Sequence, residues 1–201
     1  EIKDLADFAH KNDMYLHMDG ARISNAAVAL DADFKSMTVD AGVDVLSFGG
    51  TKNGLMFGEV VIFFGKDKGH DFEYLRKQGM QLHSKMRYIA AQFDRYLTDD
   101  LWKKNAAHAN KMAKNLAKEI AQFPELSITQ QAHANGVFCT MPPDLIPKLQ
   151  KDYFFHVWNE KPSLVGESAK SNVKEVRLMC SWDTTMEDIE GLVSQIGSHL
   201  K

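Results

Sequence analysis

One lysine stands among small residues in Ser47-Phe48-Gly49-Gly50-Thr51-Lys52-Asn53-Gly54, directly after an apolar run, where a ligand can reach it. Upstream, His17-Met18-Asp19-Gly20-Ala21-Arg22 closes another apolar run with an acid flanked by bases. Lysine at its ordinary pKa of about 10.4 is protonated and non-nucleophilic at neutral pH, and burial at a strand end lowers that value. A lysine so placed is the usual Schiff-base former. Taken alone, Lys52 reads more simply as a surface lysine. Asp19 reverses that preference, because a carboxylate at the same sheet edge holds a proton on a ring nitrogen. At about 4 Å and an effective dielectric near 20, such a pair is worth on the order of 4 kcal/mol, or roughly three pK units. That suffices to keep a pyridine protonated as an electron sink.

The glycines exclude other chemistries. Residues 49–54 lack the GK[ST] ending of a Walker loop, and residues 40–58 contain no GxGxxG opening a helix. Glycine here serves close backbone approach to a flat ligand, or positive φ.

The elements that carry these residues follow from periodicity. Ile2, Leu5, Ala6 and Ala9 repeat at helical spacing from the first residues, with no cap or leader before them, so the chain is expected to begin inside a domain. Residues 14–18, 43–48 and 60–64 read as short strands, the first of them buried, with helical pieces at 23–30 and 34–41 between the first two. Strand, helix, strand at this spacing predicts a βαβ unit in a parallel sheet. Ligands of open α/β sheets gather at the carboxyl ends of strands, where Asp19 and Lys52 both fall.

Residues 71–99 read as one amphipathic helical stretch, and residues 101–123 as a second helix with Ala109, Ala113, Leu116 and Ile120 inward. Its lysines, 103, 104, 111, 114 and 118, read as a solvated face. Beyond Pro124 the texture changes to shorter elements. Residues 126–130, 136–141, 154–158 and 175–180 read as strands, and 144–153 and 185–200 as helices, the last capped by Asp183 or Thr184. The expected organisation is an α/β cofactor-binding domain over 1–99, a connecting helix over 100–124, and a small α+β domain over 125–201.

Bulk properties narrow the partners. A net charge of −3 with interspersed signs gives no footprint for nucleic acid. No apolar run approaches the roughly 20 residues of a membrane span, and Glu1-Ile2-Lys3-Asp4 is charged where a signal peptide is apolar. Cys139 and Cys180 sit in apolar contexts with no CxxC partner and read as buried, reduced thiols, which suits the cytoplasm. The eight histidines lack metal-ligand spacing, so no metal is expected. A small-molecule ligand is the expectation.

The 17–22 and 47–54 motifs, in this order and spacing, resemble those of the threonine aldolase and β-eliminating lyase family of fold-type I pyridoxal 5'-phosphate enzymes. The resemblance continues through Arg76-Lys77-Gln78-Gly79, Asn110-Lys111-Met112 and Val176-Arg177-Leu178-Met179-Cys180-Ser181-Trp182. It implies an α/β, fold-type I, PLP-dependent transferase-like fold, with part of the large parallel-sheet domain and a small C-terminal α+β domain. It further implies that Lys52 forms the internal Schiff base, Asp19 pairs with the pyridine nitrogen, Arg22 bonds the phenolic oxygen, and Arg177 binds the substrate carboxylate. Thr51 would touch the phosphate, and His17 would lie beside the ring. Read without the resemblance, Arg177 is equally a surface ion-pair residue, Thr51 equally a strand-ending or helix-starting hydroxyl, and His17 better a satisfied core histidine.

The implied activity is aldol cleavage of a β-hydroxy-α-amino acid, threonine or allo-threonine giving glycine and acetaldehyde, by a homodimer or homotetramer. The base for the β-hydroxyl is not assigned by these residues. The alternatives are a β-eliminating lyase on another amino acid and a non-catalytic fragment or scaffold. Family members are substantially longer, and their glycine-rich phosphate turn and ring-stacking residue have no counterpart here. The expectation is therefore a C-terminal portion that binds the cofactor weakly or not at all by itself.

Overall fold

The computed structural model describes residues 1–65, 68–162 and 172–200, and divides into two compact units, Glu1–Asn105 and Ala106–Lys201. In the first unit α1 (Ile2–Lys11) leads to β1 (His17–Gly20), α2 (Ile23–Leu30), α3 (Phe34–Met37), β2 (Val45–Gly49) and β3 (Glu59–Phe63). Helices α4 (Phe72–Gln78) and α5 (Met86–Leu97) follow, and α6 (Leu101–Ile120) runs across the division. The sheet order is β1-β2-β3. β1 and β2 are parallel, His17 opposite Val45 and Asp19 opposite Ser47, which is the βαβ unit the periodicity called for. β3 returns antiparallel, so this sheet is mixed rather than purely parallel.

Ile23, Leu46, Phe48, Leu55, Phe93 and Tyr96 form the buried centre of this unit. Phe48 is its hub, packed edge-on to Phe34 at 5.3 Å and to Tyr96 at 6.3 Å between ring centroids.

In the first unit two element boundaries differ from expectation, and in the second the helix expected over 144–153 is only four residues long, Ile146–Leu149. The first strand starts at His17, not at residue 14, because Asp13 sits at φ +56° and Met14 and Tyr15 point outward, 47% and 68% exposed. Backbone leaving a left-handed residue is not yet in register with β2, and pairing begins only where Leu16 O accepts from Asp44 N at 2.9 Å. The 71–99 stretch is two helices. The break falls at Gly79 and Met80, the latter at φ +56°, and amphipathic spacing on both sides conceals it in the sequence.

In the second unit the remainder of α6 carries Ala109, Ala113, Leu116 and Ile120 into the core, as their spacing required. β4 (Ser127–Gln130), β5 (Gly136–Met141), α7 (Ile146–Leu149), β6 (His156–Asn159), β7 (Lys174–Met179) and α8 (Met186–Leu200) complete it. The sheet order is β4-β5-β7-β6, antiparallel throughout. Val137, Cys139, Met141, Val176 and Leu178 alternate onto the helix side of this sheet, against Ile189, Leu192 and Ile196 of α8. The cap of α8 is Thr185 rather than a neighbour: its hydroxyl accepts from Asp188 N at 3.1 Å, while the Asp188 carboxylate accepts from Thr185 N at 2.8 Å.

Candidate active site

Because β1 and β2 are parallel neighbours, their carboxyl ends open on the same edge of the sheet. Asp19 occupies one end. Its Oδ1 accepts from Ala21 N at 3.0 Å, the local turn that short acids favour, and its Oδ2 takes no hydrogen bond among the described residues. The side chain is exposed. A Cβ on Gly49 would stand 2.4 Å from Ala21 O and 2.6 Å from Ala21 Cα, so only glycine lets the end of β2 pass the turn behind Asp19.

His17 and Asp19 lie two residues apart, on one face of β1. His17 Nε2 is 2.8 Å from Ser47 Oγ, and Ser47 is the residue opposite Asp19. His17 is therefore a surface histidine tied to β2, not one buried in the core.

Lys52 follows β2 in the single-turn helix Thr51–Asn53, ended by Gly54 at φ +116°. Its side chain is exposed and makes no hydrogen bond or ion pair among the described residues, while both neighbours are pinned. Thr51 Oγ1 accepts from Gly58 N at 2.9 Å, closing the 51–58 loop on itself. Asn53 is buried; its Nδ2 donates to Tyr96 Oη at 2.5 Å and to Trp102 O at 3.2 Å, and its carbonyl accepts from Asn105 Nδ2 at 2.9 Å. Ser24 Oγ, from α2, reaches the same phenol at 2.7 Å. Burial pushes the Tyr96 phenol up, against the pull of the Ser24 and Asn53 bonds, so it stays neutral. Lys52 is thus exposed rather than buried as its strand-end position suggested, and its accessible amine projects from a stem whose neighbours are held in place.

Arg22 is the half-buried residue just before α2, at φ −133° and ψ 31°. Arg177 belongs to the second unit, on β7, opposite Phe138 of β5 and His156 of β6. Its guanidinium carbon lies 4.4 Å from the centre of the Trp158 ring.

At the other end of β2, Asp44 is 4% exposed and gathers Leu16 N at 2.7 Å, His10 Nε2 at 2.8 Å and Lys68 Nζ. Burial alone would raise its pKa; the Lys68, Leu16 and His10 bonds outweigh it and hold the carboxyl at about 2. Asp44, Tyr96 and Trp158 carry no motif, and Asn53, although inside the 47–54 motif, has no role there by sequence alone; all four are positioning residues that only the fold reveals. The one available signal was Asn53 itself, a polar side chain inside a glycine-rich turn.

A cavity of about 1050 Å³ in the first unit runs along β3, α4 and α5 past Val61, Phe63, Phe72 and Met86; neither Asp19 nor Lys52 lines it. The chemistry-bearing groups lie instead on the open sheet edge. Among the described residues they comprise one carboxylate with a free oxygen and one amine without a hydrogen bond, each braced by its backbone neighbours.

A family model described as beta-eliminating lyase matches residues 1–142, a span that includes this βαβ edge. The chain belongs to that family. It is 40% identical over 197 residues to a low specificity L-threonine aldolase of Pseudomonas aeruginosa, covering 98% of this chain and 54% of that protein. A second low specificity L-threonine aldolase, from a Pseudomonas species, is 37% identical over the same share of each. Among solved structures, the threonine aldolase of Leishmania major superposes over the whole chain and 56% of its own, with a TM-score of 0.83 and 24% identity, a likeness of fold. The chain spans about half the length of the curated relatives it matches.

Proposed function

We propose that this chain contributes the Lys52 site of a pyridoxal 5'-phosphate enzyme that cleaves a β-hydroxy-α-amino acid, threonine or allo-threonine, into glycine and acetaldehyde. The observation that carries the reading is the pairing of Asp19 and Lys52 at one edge of the parallel β1–β2 pair, both exposed, neither neutralised by an ion pair among the described residues. Identity of 40% to a low specificity L-threonine aldolase supports the substrate class.

The donor set fits the cofactor at its ring end. An acid with a free oxygen suits a protonated ring nitrogen, and an accessible amine suits the aldehyde carbon. Thr51 is a poorer partner for the phosphate, since its hydroxyl already serves Gly58. When bound, pyridoxal 5'-phosphate supplies an electron-withdrawing ring that takes up the electron pair left at Cα.

In this reading Lys52 would hold the cofactor covalently through Nζ, Asp19 would keep a proton on its ring nitrogen, Arg22 would bond its phenolic oxygen, and His17 would lie alongside. Arg177 would clamp the substrate carboxylate through its two-pronged guanidinium, so that Cα–Cβ is the bond presented for cleavage. The β-hydroxyl loses its proton to a base, the Cα–Cβ bond breaks, and Cα is reprotonated to glycine. Residues 1–99 would be the later part of the cofactor-binding domain, 100–124 the connecting helix and 125–201 the small domain, of a cytoplasmic homodimer or homotetramer. No helix among the described residues is long and apolar enough to cross a membrane.

Borohydride reduction of the complete enzyme loaded with cofactor, followed by peptide mass mapping, should place a pyridoxyl adduct on Lys52. Lys52→Ala should lose both adduct and activity; full aldolase activity in that variant sinks the assignment. The family's own description supports a second reading, elimination at Cβ. Products separate the two, since elimination yields ammonia and a keto acid, whereas aldol cleavage yields glycine.

A further inference from the structure

Among the described residues Arg177 has no acid partner, and its Nε is buried with no hydrogen-bond partner. The nearby acids are engaged elsewhere: Glu175 accepts from Thr129 Oγ1 at 2.5 Å, and Glu160 pairs with Lys174 at 2.6 Å. What orients the guanidinium is aromatic. Trp158 lies against it at 4.4 Å, and Phe138 meets the Trp158 ring edge-on, centroids 5.5 Å apart at 73°.

The backbone is shaped for this contact. Val157 pairs with Val176 and Asn159 with Glu175, so β6 advances two residues while β7 advances one, and Trp158 is the extra residue of a β-bulge. A bulge re-aims a side chain out of the regular alternation. Here it carries the indole to Arg177, which faces His156 in the register. An arginine oriented by a carboxylate has its prongs occupied; one oriented by stacking keeps them for a ligand.

We infer that Trp158, buttressed by Phe138, is the positioning residue that fixes the plane of the Arg177 guanidinium for a substrate carboxylate. The inference rests on the carboxylate-binding reading of Arg177 given above. Trp158 touches the guanidinium, not the reacting atoms.

The test uses the cofactor-loaded enzyme with three changes at the position, Trp158→Ala, Trp158→Leu and Trp158→Phe, beside Arg177→Lys. Trp158 is half exposed, so Trp158→Ala and Trp158→Leu should raise KM for threonine about two- to fivefold, the range of an exposed cation–π contact, with a smaller change in kcat. They should also narrow the preference for threonine over threoninamide, which lacks the carboxylate. Trp158→Phe should restore most of both. Glycine binding, measured by calorimetry without turnover, should weaken in parallel, and glycinamide binding should not.

Trp158→Leu keeps apolar bulk without a ring face, so it separates stacking from folding. If it behaves like Trp158→Phe, the stack has no role and the inference falls. If Arg177→Lys raises KM while every Trp158 variant leaves KM and the amide preference unchanged, the inference falls and the Arg177 reading stands. If Arg177→Lys itself changes neither, the reading fails and takes the inference with it.

Discussion

The chemistry of single residues was legible where it depends on local order, and hidden where it depends on who comes to meet a side chain. Asp19 and Lys52 each close an apolar run, and a run's end is visible in sequence; the structure puts both at the carboxyl edge of β1 and β2. Asp44 also sits beside such a run, but its partners His10, Leu16 and Lys68 arrive from distant positions that only the fold assembles. Its pKa is held at about 2, below the ordinary carboxylate value, so the carboxylate stabilises the fold fully above its unfolded pKa, and that contribution disappears as pH drops through the folded value. The difference is worth about 2 kcal/mol. Asp44→Asn should therefore lower the urea unfolding free energy by about 2–3 kcal/mol at pH 7, and the gap from the parent should shrink between pH 4 and pH 2. A gap that stays constant over that interval would show that the charge is not what Asp44 contributes.

At the scale of elements, the period of the apolar residues located most strands and helices but not the breaks between or within them. β5 matches its expected span, Gly136 to Met141, because alternation and a leading glycine mark both ends. The bulge at Trp158 leaves no such trace, since a bulge is a mismatch between two strands and only one is read at a time. The antiparallel return of β3 is likewise a property of pairing. Glycines give a sharper test of element packing. Gly49→Ala would drive a methyl into the Ala21 backbone, which cannot rotate away, and should cost about 3 kcal/mol and release the turn that braces Asp19. Gly136→Ala, in the other sheet, meets nothing nearer than Met179 Sδ at 3.4 Å and Phe138 Cε2 at 3.6 Å, both ordinary contacts, and should be nearly neutral. Thermal melts of the two variants should diverge accordingly; equal melting points would show that the β2 end is free to give.

The two units differ in how much they bury, and that difference sets the order in which they should yield. Among the described residues, a cluster of six buried apolar side chains centres the first unit and one of nineteen the second. Large apolar side chains of the first unit stay at its surface, including Phe8, Tyr15, Met56 and Met80. This balance was not legible in a composition averaged over the whole chain. The second core encloses both cysteines. Burial pushes the thiols of Cys139 and Cys180 up to about 12 and 11, so both are protonated and shielded at neutral pH. They should react with an aromatic disulfide reagent at pH 8 only as fast as the second unit opens, and fully in denaturant. The first unit, by contrast, leans on the Asp44 cluster, whose contribution acid removes. On lowering the pH from 4 towards 2, the Tyr96 environment in the first core should loosen before the cysteines lose protection, as read by near-ultraviolet dichroism beside alkylation with a thiol reagent that remains active in acid. Larger apolar burial predicts that order, because hydrophobic burial is insensitive to pH while the paired carboxylate is not. Simultaneous loss of both signals would mean that the two cores unfold as one.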